Sequence, residues 1–365
     1  MTEHDVIIDV CSRRGVDPEI KTWNDVRLLL NDMLGKNNLT PRTYQHIYKE
    51  YLDKTIAPEL IRETRKEKYQ LQDVVREYNS SIRDEARIDN LIEAVENGLR
   101  DFEPITFKPV NYSKSGRYAI AVVSDWHIGS QHKNYVSEYN LDIASKRVMK
   151  YAKRIVDEVN DKDIEELLII NLNDLIEGNI HISTRVQAEM DAVQQTIHAS
   201  MLLTEFIRYI ADNTNARLKV GSVLENHSRI NKNKKEHIEA ESFGKLIDFI
   251  VQDRIKDDRV MFVGNPLDDN IGLTQFGGLN VAYVHGHLDH PKSVKDKLDN
   301  LIGVQMDLVV MAHRHHILID ENVVQVGSLK GTDSYAFDHR LVSKASQTMI
   351  FFSDDELIHH HVLFE

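Results

Sequence analysis

The sequence predicts a layered α/β protein with a helical N-terminal extension. Three observations carry that prediction. β-rich and helical segments alternate from about Arg117, strands dominate the later part, and clusters of Asp, Asn and His close five of the hydrophobic runs. Alternation of this kind implies sheets with helices packed on their faces.

With 365 residues the chain can hold two domains, or one large domain with an appendage. A hydrophobic content of 41% with 28% charged residues suits a globular chain rather than a disordered one. No apolar run is long enough to cross a bilayer, and charges interrupt the N-terminus where a signal peptide would need an apolar stretch. The single cysteine, Cys11, excludes an internal disulfide framework and a thiolate zinc site. A cytoplasmic location with no membrane partner is therefore expected. The formal net charge of −13 argues against a protein that coats nucleic acid, but not against an enzyme whose bound cations reverse the sign locally. The 18 histidines call for an explanation by placement.

Residues 1–56 predict a small helical module. Trp23, Val26, Leu29, Leu30 and Met33 recur at helical spacing until Gly35, Asn37 and Asn38 interrupt them. A second helix is expected from Thr40-Pro41, with Thr40 as cap and Tyr44, Ile47, Tyr48 and Tyr51 on one side. Two helices about a turn resemble a helix-turn-helix unit. A small bundle for partner contact is the other reading, since the charges are balanced and no basic recognition face stands out. Residues 57–103 form a charged arm, read as one long helix or an antiparallel pair, and a candidate surface for a homodimer. Residues 104–116, with Pro104, Pro109 and Gly116, make the linker. From 117 to 365 the expected strands are Tyr118–Val123, Leu167–Leu172, Leu218–Leu224, Val260–Val263, Leu279–Val284, Leu308–Met311 and Val323–Val326. Helices are expected near Val148–Val159 and Gln194–Ala211.

The chemistry sits where these strands end. Asp125 and His127 follow the first, Asn173-Asp174 and Glu177 the second, Glu225-Asn226-His227 the third, His285-Gly286-His287 a fourth, and His313-Arg314-His315-His316 a fifth. Residues at the carboxyl ends of strands converge on one crevice of an open sheet. Mixed imidazole, carboxylate and amide-oxygen donors suit two divalent ions, Mn²⁺ first, with Fe²⁺, Zn²⁺ or Mg²⁺ as alternatives. Asp174, between the other clusters in sequence, is the natural bridging residue.

The motif order D-x-H, D-L-I-E-G, N-H, H-G-H and H-x-H resembles that of the calcineurin-like metallophosphoesterases. The resemblance implies a four-layer α/β/β/α sandwich. It places one metal on Asp125, His127 and His315 and the other on Asn226, His285 and His313, with Asp174 shared. It gives His227 the role of protonating the leaving group. Asn173, Glu225 and Ala312 stand where the family has glycine, and Ser228 where it often has an acid. Glu225 is a candidate for a substitute charge beside His227. Arg229, His287 and Arg314 are candidate substrate contacts, and Arg229, Lys232, Lys234, Lys235, Lys292, Lys295 and Lys297 are loop cations that can guide a phosphate backbone. His181, His198 and His237 receive no role. The segment 327–333, rich in Gly and hydroxyls, either shapes substrate access or only turns the chain.

The implied reaction is metal-assisted phosphoester hydrolysis. The layout is similar to bacteriophage and bacterial DNA repair exonucleases, so DNA is the expected substrate and partner. A phosphomonoesterase of phosphoproteins or nucleotides is the second reading, and a catalytically weak DNA-binding scaffold the third.

Overall fold

The structure, a computed structural model, describes residues 2–99, 105–108, 110–180, 182–231, 233, 238 and 241–364. Lys232, Lys234, Lys235, His181, His237, Pro104 and Pro109 lie outside the described residues. Two compact units are present, one up to Ile88 and one from Asp89.

In the first unit, helices α1 (Glu3–Ser12), α2 (Trp23–Leu34) and α3 (Pro41–Tyr51) enclose a small core of Ile7, Val10, Cys11, Ile20, Val26, Leu30 and Tyr44. Three helices thus stand where two were anticipated. Thr22 and Asp25 form a reciprocal capping box on α2, an arrangement worth about 1 kcal/mol. Gly35 ends α2 in the left-handed region at φ 65°, where a side chain is disfavoured. Thr40 occupies the cap position of α3 but makes no side-chain cap, and its hydroxyl meets that of Thr43 instead. Beyond a π-turn at Leu52–Ile56, a single helix, α4 (Ala57–Leu99), replaces the alternative of an antiparallel pair. Leu60, Leu71, Val74, Tyr78 and Ile82 on it are exposed.

The second unit runs β1 (Tyr118–Val123), β2 (His132–Lys133), β3 (Glu138–Tyr139), α5 (Leu141–Asp161), β4 (Glu166–Asn171), α6 (Ile182–Gln187), α7 (Ala192–Asn213), β5 (Arg217–Ser222), α8 (Phe243–Arg254), β6 (Val260–Val263), β7 (Ile271–Phe276), β8 (Leu279–Val284), α9 (Val294–Ile302), β9 (Leu308–Met311), β10 (Leu318–Asp320), β11 (Val323–Gln325), α10 (Ser334–Asp338), β12 (Ser346–Phe352) and β13 (Leu357–Leu363). One sheet has the order β13-β12-β1-β4-β5-β6 and the other β10-β11-β9-β8-β7.

Alternation along β1 shows how the layers form. Ile120 and Val122 point into the core shared by the two sheets, with Leu168, Ile170, Tyr283, Val310 and Val324. Ala119, Ala121 and Val123 point the other way, against helices α5, α7 and α8 through Tyr151, Ile155, Phe206 and Ile247. On the far side of the second sheet, Ala282, Val284, Val309 and Met311 pack on Val294 and Leu298 of α9. The architecture is an α/β/β/α sandwich, and a fully buried Ile or Val in it contributes about 1.5–3 kcal/mol.

β1, β4, β5 and β6 are parallel, so their carboxyl ends lie on one edge. β8 and β9 are parallel to each other in the second sheet and also end together. The β7–β8 hairpin turns on Gly277 and Gly278, both at positive φ, as a two-residue turn between twisted strands requires. Lys295 and Lys297, anticipated on a loop, lie in the first turn of α9, and Lys295 is paired with Asp299.

Candidate metal centre

Every predicted ligand follows a strand end, and at five of the seven the backbone is bent into a form that few residues adopt. The described non-glycine residues with positive φ number eight, and five of them are candidate ligands: Asp125, His127, Asp174, His313 and His315. Asn173, between them in the chain, also has positive φ, 65°, a left-handed conformation that asparagine tolerates better than most side chains. Ala312 and Glu225 have no positive φ, so neither position demands glycine. Such strain clusters where the surrounding structure holds a functional geometry in place.

The surrounding bonds are visible. Asp125 N and His127 N donate to the carbonyls of Asn173 and Asp174, each at 2.9 Å, extending the β1–β4 ladder past both strands. Ala312 N donates to His285 O at 2.9 Å, tying the β8 and β9 ends together. Gly178 packs so tightly on the His227 carbonyl that an added Cβ would sit 2.0 Å from it. The segment 327–333 does more than turn the chain, since Ser328 Oγ and Leu329 N both donate to Asp125 O, at 3.0 and 3.2 Å.

The ligating atoms fall into three overlapping groups: Asp125, His127 and His315; His127, Asp174 and His227; Asp174, His285 and His313. His127 Nε2 lies 3.2 Å from His315 Nε2, and His315 Nε2 lies 3.2 Å from Asp125 Oδ1. On the other side His285 Nε2 is 3.1 Å from both His313 Nδ1 and Asp174 Oδ2. Two donors about 2.1 Å from one ion at near-right or tetrahedral angles lie roughly 3.0–3.4 Å apart, so these spacings fit shared cations. Among the described residues nothing donates a hydrogen bond to the buried Asn226 Oδ1, Asp125 Oδ1 or Asp174 Oδ2.

The outer partners fix which nitrogen faces inward. His285 Nδ1 donates to Leu172 O at 2.8 Å and His227 Nδ1 to Glu177 O at 2.8 Å. His127 Nδ1 faces Glu177 Oε2 at 3.0 Å. With Nδ1 of His285 and His227 engaged, Nε2 is the nitrogen left to coordinate or to carry a proton, and that of His285 faces Asp174, an arrangement that a cation in place of the proton satisfies. The residues present therefore fit divalent metal.

Burial would raise the Asp125 and Asp174 carboxyls, but the facing imidazoles, His315 for the first and His285 for the second, hold both far below the ordinary carboxylate range. Burial likewise works against a charged His285, and Asp174 outweighs it, leaving the imidazole at about 9. Glu225 is buried beside Asp174. Burial and the adjacent Asp174 push it well up, toward the neutral acid, and its Oε2 accepts from Ser228 N.

Among the substrate candidates, Arg229 directs its Nε to the Asn226 carbonyl at 3.0 Å and braces the ligand loop. The His287 ring lies beside those of His285 and His313. Arg314 is exposed, with Nη2 reaching Asp289 O at 3.4 Å.

Two residues carry roles that the sequence does not assign. Glu177 was visible only as part of a motif, yet its carboxylate faces His127 and its carbonyl holds His227. Lys330 is buried, with Nζ 2.8 Å from Asp333 and 3.4 Å from Glu177, and Arg147 donates to the carbonyls of Leu329 and Lys330 to hold that turn. A lysine in a Gly/Ser-rich segment carries no sequence signal of burial.

Fold and site together define a class: a layered α/β sandwich with a carboxylate–imidazole centre suited to paired divalent cations. No family model matches the chain. It is 24% identical over 292 residues to the SPbeta prophage-derived uncharacterized protein YonJ of Bacillus subtilis strain 168, covering 75% of this chain and 71% of that one. Solved structures that it resembles include the calcineurin-like phosphoesterase YfkN of Bacillus subtilis, with TM-score 0.30, 11% identity, and coverage of 68% of this chain and 90% of that one. The 5'-nucleotidase of Candida albicans SC5314 gives TM-score 0.32 and 11% identity over 71% and 52% of the two chains. Vps29 of Chaetomium thermophilum gives 0.29 and 11% over 68% and 98%. Among the described residues no helix is long and apolar enough to cross a membrane.

Proposed function

We propose that this protein is a calcineurin-like, metal-dependent phosphoesterase that cleaves phosphodiester bonds, with DNA as its substrate in an exonuclease-like mode. The observation that carries the reading is the position of Asp174, between His127 and His227 on one side and His285 and His313 on the other. Two divalent cations, Mn²⁺ first, would polarise the phosphoryl oxygens and activate the attacking water. The chain's own residues orient the rest. Glu177 fixes the His227 ring through Nδ1, so Nε2 is the atom left to exchange a proton with the departing oxygen. The main-chain N–H of His227 donates to Asp174 Oδ1 at 3.2 Å, which keeps this ring beside the shared carboxylate. The prophage origin of a relative favours a nucleic-acid substrate over a small monoester.

Mn²⁺-loaded protein is expected to cleave labelled single- or double-stranded DNA and bis-p-nitrophenyl phosphate in preference to p-nitrophenyl phosphate. His227→Ala should lower kcat by about 10²–10⁴-fold, the usual worth of a positioned proton donor. Turnover of the monoester with DNA left intact would move the function to a phosphomonoesterase.

We also propose that α4 pairs two copies of the chain. Leu71, Val75, Tyr78 and Ile82 follow one another at spacings of four, three and four and are exposed, a short seam of the kind that paired helices bury. Light scattering should give a dimer mass that Leu71→Glu with Val75→Glu halves. A monomer mass for the unaltered chain at all concentrations removes the idea.

A further inference from the structure

A cavity of ≈ 240 Å³ adjoins the candidate metal centre, and Glu177, the residue that faces His127 and holds His227, forms part of its wall. Its other lining residues include Gln131, Gln187, Asp333, Tyr335 and Asp338. A group attached to a phosphate at the ligands would have this cavity beside it.

The chemistry of the wall selects what enters. Three acidic residues line the cavity; the buried Lys330 ammonium engages the carboxylates of two, Glu177 and Asp333, and the third, Asp338, is exposed. Such a wall repels phosphate and accepts N–H groups. Gln131 and Gln187 are exposed amides, each able to donate and accept. Tyr335 supplies a flat surface: its ring lies tilted by 31° against that of His339, with centroids 4.1 Å apart, yet the residue remains 67% exposed. A flat, uncharged group bearing an exocyclic amine meets all of these features. Carboxylates accept from such amines, and aromatic rings stack on the base plane.

We infer that this cavity is a nucleobase subsite, favouring adenine or cytosine over thymine, for the nucleoside joined to the scissile phosphate. As a description of substrate, the inference rests on the phosphoesterase reading. The subsite itself is tested without phosphate or metal.

Binding of deoxyadenosine and of thymidine to the full chain is measured by calorimetry or ligand-observed NMR, alongside turnover of bis-p-nitrophenyl phosphate by the Mn²⁺-loaded protein. Deoxyadenosine is expected to bind about tenfold more tightly than thymidine. Tyr335→Ala should weaken deoxyadenosine about tenfold, Tyr335→Phe should restore it, and Asp338→Asn should narrow the preference. No binding of deoxyadenosine, equal binding of the two nucleosides, or equal affinity in Tyr335→Ala overturns the subsite. Selective, Tyr335-dependent binding without ester turnover keeps the subsite and instead removes the phosphoesterase reading.

Discussion

Asp174→Ala is expected to abolish measurable diester hydrolysis, a loss on the order of 10³-fold or more, and to reduce bound Mn²⁺ from two equivalents to one or none. The magnitude follows from charge stabilisation worth several kcal/mol at the reacting phosphorus, each 1.4 kcal/mol being about tenfold in rate. Asp174 lies within reach of both imidazole sets, and its Oδ1 also holds the His227 main chain. Its removal therefore disturbs both metal positions and the proton donor at once. Asp174→Asn, which keeps the shape and suits the positive φ of 49°, separates charge from geometry. Elemental analysis of dialysed protein gives the metal count, and bis-p-nitrophenyl phosphate reports the rate. Two bound equivalents and an unchanged rate in Asp174→Ala would remove the shared-carboxylate reading.

Lys330→Ala should produce the largest loss of stability. It removes a buried ammonium and leaves Glu177 buried and Asp333 half-buried without their cation. Breaking a buried pair from one side costs about 3–5 kcal/mol, which for a unit of this size lowers Tm by roughly 10 °C. Burial alone would lower the ammonium, and Glu177 and Asp333 more than offset it, so Lys330 stays charged across the working pH range. The effect should extend to the metal. Glu177 faces His127, so loss of its counter-charge should weaken Mn²⁺ binding by about 10–100-fold, as for other groups that orient a metal-bound histidine. Lys330→Met combined with Glu177→Gln should recover part of the stability but not the affinity. Calorimetric unfolding and Mn²⁺ titration separate the two, and wild-type values for both in Lys330→Ala would show that the pair holds nothing in place.

Much of the sandwich was legible because hydrophobic strands are marked by local pattern. Tyr118–Val123, Val260–Val263, Leu279–Val284 and Leu308–Met311 fall where the apolar runs place them. The strands at 271–276 and 346–363 were passed over, although Gly277-Gly278 offered a hairpin signal. β12 and β13 carry no catalytic motif, and only pairing of β12 with Tyr118–Val122 reveals that they extend the first sheet. The candidate ligands were legible for a different reason: Asp, Asn and His directly after apolar strands are chemically conspicuous, and parallel strands that end on one edge bring them together.

By itself the sequence determined the α/β class and the helical character of the first hundred residues, and it marked the candidate ligands, because each is encoded in residue type and short-range spacing. Only the tertiary structure decided how the rings are held: Glu177 between His127 and His227, Leu172 O on His285, Lys330 between two carboxylates 153 and three positions away in the chain. Only it decided that Asn173 takes a left-handed backbone, and that Glu225 is buried beside Asp174. Orientation, tautomer and protonation depend on burial and on partners distant in sequence, and no local pattern of side chains encodes them.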